Sequence, residues 1–140
     1  MTPQNKRIIC ISDIHGSLYL LKQLLNKINY TEDDILILLG DFYTKGKENH
    51  ETFKFIVDIA ENPNVYVLRG NCDWEEEYLT DVGKAWLNGL PHIIETNDYI
   101  FIHGGLTSSD LDEQDALTCM KNDAFMEKGL KFEKYVVTGH

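Results

Sequence analysis

Three continuous runs of aliphatic and β-branched residues mark the first half of the chain, at residues 7–12, 34–39 and 65–68. Uninterrupted apolar runs of this length are typical of strands that are buried on both faces of a sheet. A polar residue or a glycine follows each run directly. The pattern therefore predicts three buried strands with sharp ends.

The segments between these runs carry their apolar residues at helical spacing. Ser17 is placed to cap the first predicted helix, and the second ends near Asn62 and Pro63 because the residue before a proline disfavours helix. The apolar positions are Leu18, Leu21, Leu25 and Ile28 in the first helix, and Phe53, Ile56, Val57 and Ala60 in the second. This βαβαβ order predicts a parallel sheet with right-handed crossovers.

The pattern changes in the second half of the chain. Apolar runs at residues 92–95 and 99–102 flank a short polar loop, which predicts an antiparallel hairpin. Residues 112–125 are predicted to be helical, and residues 135–138 form a last strand. We expect an α/β fold with a mixed sheet, or two sheets packed face to face. No linker or repeat divides the chain, so residues 1–140 are expected to form one domain.

Composition excludes some classes of protein. The hydrophobic fraction of 43% is ordinary for a globular protein. The net charge of −10 argues against a protein that coats nucleic acid. The first apolar run is too short for a signal peptide or a membrane span. Cys10, Cys72 and Cys119 lie far apart and form no CxxC, so we expect no disulfide framework and a cytoplasmic location.

Potential metal ligands stand at the ends of the predicted strands. They are Asp13, His15, Asp41, Asn71, His103 and His140, and most lie beside a glycine. Ligands of open α/β sheets bind outside the carboxyl ends of the strands. Each residue alone has an ordinary explanation, such as a turn, a cap or a core histidine. Together they predict a two-metal site, and carboxylate, amide and imidazole donors suit Mn²⁺, Fe or Zn²⁺.

The ordered motifs resemble those of the calcineurin-like metallophosphoesterases, in the branch of the Ser/Thr protein phosphatases and the diadenosine-tetraphosphatase-type enzymes. The motifs are Asp13-Ile14-His15-Gly16, Gly40-Asp41, Leu68-Arg69-Gly70-Asn71, His103-Gly104-Gly105-Leu106 and Gly139-His140. The resemblance implies that Asp13 and His15 hold one divalent ion. It also implies that Asn71, His103 and His140 hold the second, with Asp41 bridging them. The expected ions are Mn²⁺, with Fe or Zn²⁺ as alternatives, and a metal-bridging hydroxide would attack the phosphoester.

The chain departs from the family pattern beside two of these motifs. Thr44 and Cys72 replace an Asp–His pair that, in the family, donates a proton near the leaving group. Cys72 is either a substitute acid or a small buried residue. Arg69 is expected to act at the phosphate, with Lys45 and Asn71 as further contacts to substrate. The expected partner is a phosphoprotein or a small phosphoester, with neither nucleic acid nor a membrane.

Two other functions stay open at this stage. The first is a phosphodiesterase or nucleotide hydrolase with the same metals, because related proteins with Gly-Asn-Cys-Asp occur among bacterial phosphodiesterases. The second is a non-catalytic scaffold, since one retromer subunit uses this fold without hydrolysis. Family members normally continue beyond the Gly-His motif, so the sequence is either a fragment or a short form.

Overall fold

Six strands form two three-stranded sheets in the computed structural model, which describes residues 6–140. The strands are β1 (Ile8–Ile11), β2 (Ile35–Leu38), β3 (Val65–Val67), β4 (Ile93–Glu95), β5 (Tyr99–Ile102) and β6 (Tyr135–Thr138). The helices are α1 (Leu18–Lys27), α2 (Asn49–Ile59), α3 (Asp81–Asn88) and α4 (Ala116–Met120). Short 3₁₀ turns occupy Leu111–Glu113 and Phe125–Lys128.

The first sheet has the order β1-β2-β3 and is entirely parallel. Leu36 of β2 pairs with Ile9 on one side and with Val65 on the other. In the second sheet, β5 lies between β4, which is antiparallel to it, and β6, which is parallel to it. The positions of the predicted strands and the predicted hairpin are confirmed, and the two-sheet alternative is the observed one. The prediction that the first three strands are buried on both faces is right for β2 only. β1 and β3 are edge strands, and Cys10 and Tyr66 in them are exposed.

The two sheets pack against each other, and helices cover the outer face of the first. Alternation along β2 explains this, because Ile35 and Ile37 face the core between the sheets while Leu36 and Leu38 face the helices. Phe101 of β5 completes the core between the sheets. The outer face of the second sheet is covered by the segment that joins β5 to β6. This third cluster contains Ile100, Ile102, Leu106, Cys119 and Phe125.

The predicted cap of α1 is wrong. Ser17 precedes the helix, but its side chain makes no capping hydrogen bond. The carboxylate of Glu48 instead accepts a hydrogen bond from the backbone N–H of Tyr19 at 3.1 Å. The backbone N–H of Glu48 is itself bound to the carbonyl of Gly16. A tertiary contact thus places a negative charge at the positive end of α1.

The predicted helix over residues 112–125 is also wrong, because the segment is broken. Gln114 has an extended backbone, and the Asp115 carboxylate caps the start of α4 by accepting a hydrogen bond from Thr118 N at 2.9 Å. The short helix α4 then ends where Gly104 N donates to Cys119 O at 2.7 Å. Helix α3, which the sequence analysis did not predict, begins at Asp81 after the N-cap residue Thr80, whose side chain accepts a hydrogen bond from Gly83 N.

The three cysteines are free, as the sequence analysis expected. Within residues 6–140, no helix is both long enough and apolar enough to cross a membrane.

Candidate metal centre and active site

Four of the predicted metal ligands have a left-handed backbone conformation. The φ angles are 55° at Asp13, 45° at His15, 52° at Asp41 and 65° at His140. Residues other than glycine seldom adopt this conformation, which costs on the order of 1–3 kcal/mol each and occurs mainly at functional sites. The loops that follow β1, β2 and β6 therefore hold these side chains in place at an energetic cost.

Two glycines allow the loops after β2 and β3 to touch. A Cβ atom at Gly40 would lie 2.6 Å from the backbone nitrogen of Gly70, and one at Gly70 would lie 2.2 Å from Asp41 Oδ1. Both distances are too short for any side chain. The Gly-Asp and Gly-Asn motifs thus have a steric reason, since the two backbones meet under the Asp41 carboxylate.

Asp41 is buried at the centre of the site. Its Oδ1 accepts a hydrogen bond from Cys72 N at 2.7 Å. Its Oδ2 lies 3.4 Å from His103 Nε2 and 3.7 Å from His15 Nε2. Burial by itself raises the pKa of Asp41. The His103 ring and the Cys72 N–H have a larger, opposite effect, and the pKa is lowered to about 2. Asp41 is therefore ionised at neutral pH, with one oxygen between two histidines.

Around His103, several atoms that can bind a metal ion converge. His103 Nδ1 lies 2.7 Å from the carbonyl oxygen of Leu39, which can only accept, so Nδ1 carries a hydrogen. His103 Nε2 lies 3.1 Å from Asn71 Oδ1 and 3.4 Å from Asp41 Oδ2. When the ring is neutral, Nε2 presents its lone pair to these two oxygens, an arrangement that fits a cation.

A second group of donors lies on the other side of Asp41. His15 Nε2 lies 3.7 Å from Asp13 Oδ1. Asp13 Oδ2 accepts hydrogen bonds from the Ser12 hydroxyl and, at 2.9 Å, from His140 N. These bonds orient the carboxylate so that Oδ1 faces His15.

The donors form two clusters that share one residue. Asp13, His15 and Asp41 make one cluster, and Asp41, His103 and His140 make the other; within each, the ligand atoms lie within 4.8 Å of one another. The structure thus brings the predicted ligands together from loops that are up to 127 residues apart. Their chemistry and arrangement fit two divalent cations with Asp41 between them.

Asp73 is a buried residue of the site to which the sequence analysis gave no role. Its Oδ2 accepts from Asp41 N at 2.7 Å and from Gly70 N at 2.8 Å, and its Oδ1 accepts from Phe42 N at 2.9 Å. Burial and the nearby Asp41 carboxylate raise the pKa of Asp73 to about 7. Asp73 ties the two loops together. The sequence carried a signal for it, because Asp73 ends the Gly-Asn-Cys-Asp segment that begins with two residues of the Gly-Asn motif.

Arg69 makes two structural contacts. Its Nε donates to the carbonyl oxygen of Asp73 at 3.0 Å, and its Nη1 donates to Asn88 Oδ1 at 2.8 Å. The guanidinium therefore links the loop after β3 to the end of α3. That Arg69 also acts at the phosphate stays a prediction.

Lys45, by contrast, lies beside the centre. The Cys72 sulfur and the Asp41 carboxylate raise the pKa of Lys45, so it is cationic at neutral pH. Its Nζ lies 5.7 Å from the centroid of the exposed Trp74 ring. Lys45 is thus the cation that the structure places near Asp41.

Cys72 is buried next to Asn71. Burial raises the pKa of its thiol, so the thiol is protonated at neutral pH. Asn71 Nδ2 donates to the sulfur at 3.3 Å, which turns Oδ1 of the amide towards His103. The hydroxyl of the fully buried Thr44 donates to the carbonyl of Cys72 at 2.6 Å. The two residues that replace the family's Asp–His pair therefore contact each other.

Comparison with known proteins identifies the family of the chain. The family profile described as calcineurin-like phosphoesterase matches residues 6–140. The chain is 28% identical to serine/threonine-protein phosphatase 2 of Salmonella typhimurium, over 94% of this chain and 57% of that protein. It is 42% identical over 64 residues to a symmetrical bis(5'-nucleosyl)-tetraphosphatase of Marinomonas sp., covering 45% of this chain and 22% of that protein. The chain thus spans between about a fifth and three fifths of the length of these relatives.

Solved structures share the fold. A crystal structure assigned as a diadenosine tetraphosphatase superposes with a TM-score of 0.81 at 20% identity, covering all of this chain and 77% of that one. A protein serine/threonine phosphatase from Saccharomyces cerevisiae, similar to human PP5, superposes with a TM-score of 0.60 at 22% identity over 88% of this chain and 45% of that one. With the family profile matched from residue 6 to residue 140, the chain belongs to the calcineurin-like phosphoesterases.

Proposed function

We propose that this chain is the hydrolytic domain of a phosphoesterase that uses two divalent cations. The observation that carries the proposal is the position of Asp41 Oδ2, a buried anionic oxygen between the His15 and His103 rings. The proposed ligands are Asp13, His15 and Asp41 for one ion, and Asp41, Asn71, His103 and His140 for the other. The donor set suits Mn²⁺, with Fe or Zn²⁺ as alternatives.

When bound, the two cations supply Lewis acidity that activates the attacking water and stabilises charge on the phosphoryl group. The protein's own residues prepare for this. Asp41 contributes an ionised oxygen that can contact both ions. The Leu39 carbonyl and the Cys72 sulfur orient His103 and Asn71, so both present lone pairs to the same point.

We assign the substrate phosphate to Lys45. The side chain is cationic and lies within the electrostatic reach of Asp41, whereas the Arg69 guanidinium is bound to Asp73 and Asn88. A lysine binds phosphate as a point charge and makes no bidentate contact. The contacts of Arg69 with Asp73 and Asn88 thus support Lys45 as the principal cation at the substrate side.

One observation favours phosphoanhydrides as substrates over phosphoserine. The family's acid pair is replaced by Thr44 and Cys72, and Thr44 is bound to the Cys72 carbonyl. A phosphate leaving group departs without a proton at neutral pH, whereas a serine alkoxide needs one. A nucleoside polyphosphate is therefore our second candidate substrate. The proposed partner is a phosphorylated small molecule or phosphoprotein, and a cytoplasmic location stays a prediction.

The test compares three substrates with the Mn²⁺-loaded protein: an aryl phosphomonoester, a bis-aryl phosphodiester and a dinucleoside tetraphosphate. We expect hydrolysis of at least one, and we expect Asp41→Asn to lower it by a factor of about 10²–10³, as for the loss of a group that acts in the transition state. Circular dichroism reports the fold of the variant. If the protein binds two Mn²⁺ and hydrolyses none of the three, the non-catalytic scaffold is favoured instead.

A further inference from the structure

A carboxylate outside the recognised motifs contacts one of the proposed ligands. Asp123 Oδ1 lies 2.7 Å from His140 Nε2. Asp123 follows α4, in the segment that covers the outer face of the second sheet, and none of the sequence motifs includes it. The contact therefore needs an explanation that the motifs do not supply.

The contact determines which nitrogen of His140 is available to a cation. An ionised carboxylate only accepts hydrogen bonds, so His140 Nε2 carries the hydrogen and Nδ1 keeps the lone pair. His103 has the opposite arrangement, because its Nδ1 donates to Leu39 O and its Nε2 is left as the ligand. The two rings lie 5.3 Å apart, and each is oriented by an acceptor on its far side.

The backbone around Asp123 is anchored on both sides. Asn122 Nδ2 donates to the carbonyl of Leu106 at 3.2 Å, just beyond the His103-Gly104-Gly105 loop. Phe125 is buried and packs closely on Gly105, where an added Cβ atom would lie 2.5 Å from the Cβ of Phe125. Although the Asp123 side chain is exposed, its backbone is thus packed on the loop that carries His103. This packing places the carboxylate beside His140.

From this geometry we propose that Asp123 is a positioning residue, which holds the His140 ring in the tautomer and orientation that bind the second cation through Nδ1. The inference rests on the proposed function, since it takes His140 as a ligand. Carboxylates that orient metal-bound histidines typically change metal affinity by about 10–100-fold when they are removed. The same range is expected here.

The experiment uses Asp123→Ala, Asp123→Asn and, as a matched control, Glu127→Ala. Glu127 is exposed in the same segment, and Glu127→Ala removes one negative charge, as Asp123→Ala does. Asp123→Asn keeps an oxygen that can accept from Nε2–H. Nitrogen NMR of the metal-free protein reports the tautomer of His140, and calorimetric titration with Mn²⁺ reports the affinity of each site.

We expect Asp123→Ala to remove the Nε2–H preference of His140 and to weaken one Mn²⁺ site by about 10–100-fold while the other is unchanged. Asp123→Asn should keep the tautomer and stay within a few-fold of the wild type, as should Glu127→Ala. The proposal is overturned if Asp123→Ala leaves the tautomer unchanged, or if Asp123→Asn and Asp123→Ala weaken the site equally. Failure of the wild-type protein to bind Mn²⁺ would instead overturn the proposed function, and the NMR experiment tests Asp123 independently of it.

Discussion

Asp73 Oδ2 accepts a hydrogen bond from the backbone N–H of Asp41 at 2.7 Å. The buried carboxylate of Asp73 thus holds the backbone of Asp41, whose own carboxylate is also buried. The two carboxylates differ in their surroundings. That of Asp73 is enclosed by backbone N–H groups from the loops after β2 and β3. That of Asp41 faces two histidines and a region that fits cations. Asp73 thus organises the loops, and Asp41 is the group available for chemistry.

Replacing Asp73 with asparagine should therefore destabilise the protein. The new NH₂ group is a donor, and at least one backbone N–H would lose its acceptor while buried. The expected loss in the free energy of unfolding is about 1–3 kcal/mol, measured by urea denaturation of the metal-free protein. Asp58→Asn, an exposed change in α2, is the control and should have little effect. Equal stability of the two variants would contradict a structural role for Asp73.

Lys45→Ala and Arg69→Ala should have different effects, because Lys45 is near Asp41 whereas Arg69 links the loop after β3 to the end of α3. We expect Lys45→Ala to raise KM by about tenfold, equivalent to about 1.4 kcal/mol of binding, with no loss of stability. Arg69→Ala should lower the melting temperature because the links to Asp73 and Asn88 are lost. Lys47→Ala is the matched exposed control. A rise in KM for Arg69→Ala at unchanged stability would restore the prediction made from the sequence.

The loss of the acid pair should appear as a steep dependence of rate on leaving group. General-acid assistance is typically worth about 10²–10⁴-fold. Activated aryl phosphates should be hydrolysed readily and alkyl phosphates slowly, in a plot of log kcat/KM against leaving-group pKa at constant Mn²⁺. Cys72→His combined with Thr44→Asp should raise the rates for alkyl phosphates and flatten the plot. A shallow plot for the wild type would show that another group supplies the proton.

An ion pair far from the site should make stability depend on acid pH. Asp34 accepts from Arg7 Nε at 3.0 Å and from Arg7 Nη2 at 2.7 Å, and these bonds lower the pKa of Asp34 to about 2. Because the folded pKa lies below the unfolded value of about 3.9, the ionised form stabilises the fold above that value. This stabilisation is lost as the pH falls towards about 2. Between these two pH values, the melting temperature should fall less steeply with decreasing pH in Asp34→Asn than in the wild type or in the exposed control Asp33→Asn.

The sequence by itself determined the strands and the residues of the candidate site. Continuous runs of aliphatic and β-branched residues predict strands without tertiary information, although of the first three strands only β2 is buried on both faces. The ligands follow these runs directly, and parallel strands bring their carboxyl ends to one edge. Asp13, Asp41 and His103 were therefore predictable as neighbours from order and chemistry alone.

Only the tertiary structure decided how these residues are oriented. The tautomers of His103 and His140 depend on Leu39 and Asp123, which are distant from them in sequence. One partner of Arg69, Asn88, lies at the end of α3, 19 residues further along the chain, so its structural role could not be predicted from its type and position. The bond that ties the end of α4 to the loop after β5, from Gly104 N to Cys119 O, likewise joins segments that are apart in the sequence. Hydrogen bonds between remote segments form only when the chain is folded, and no local pattern of residues encodes them.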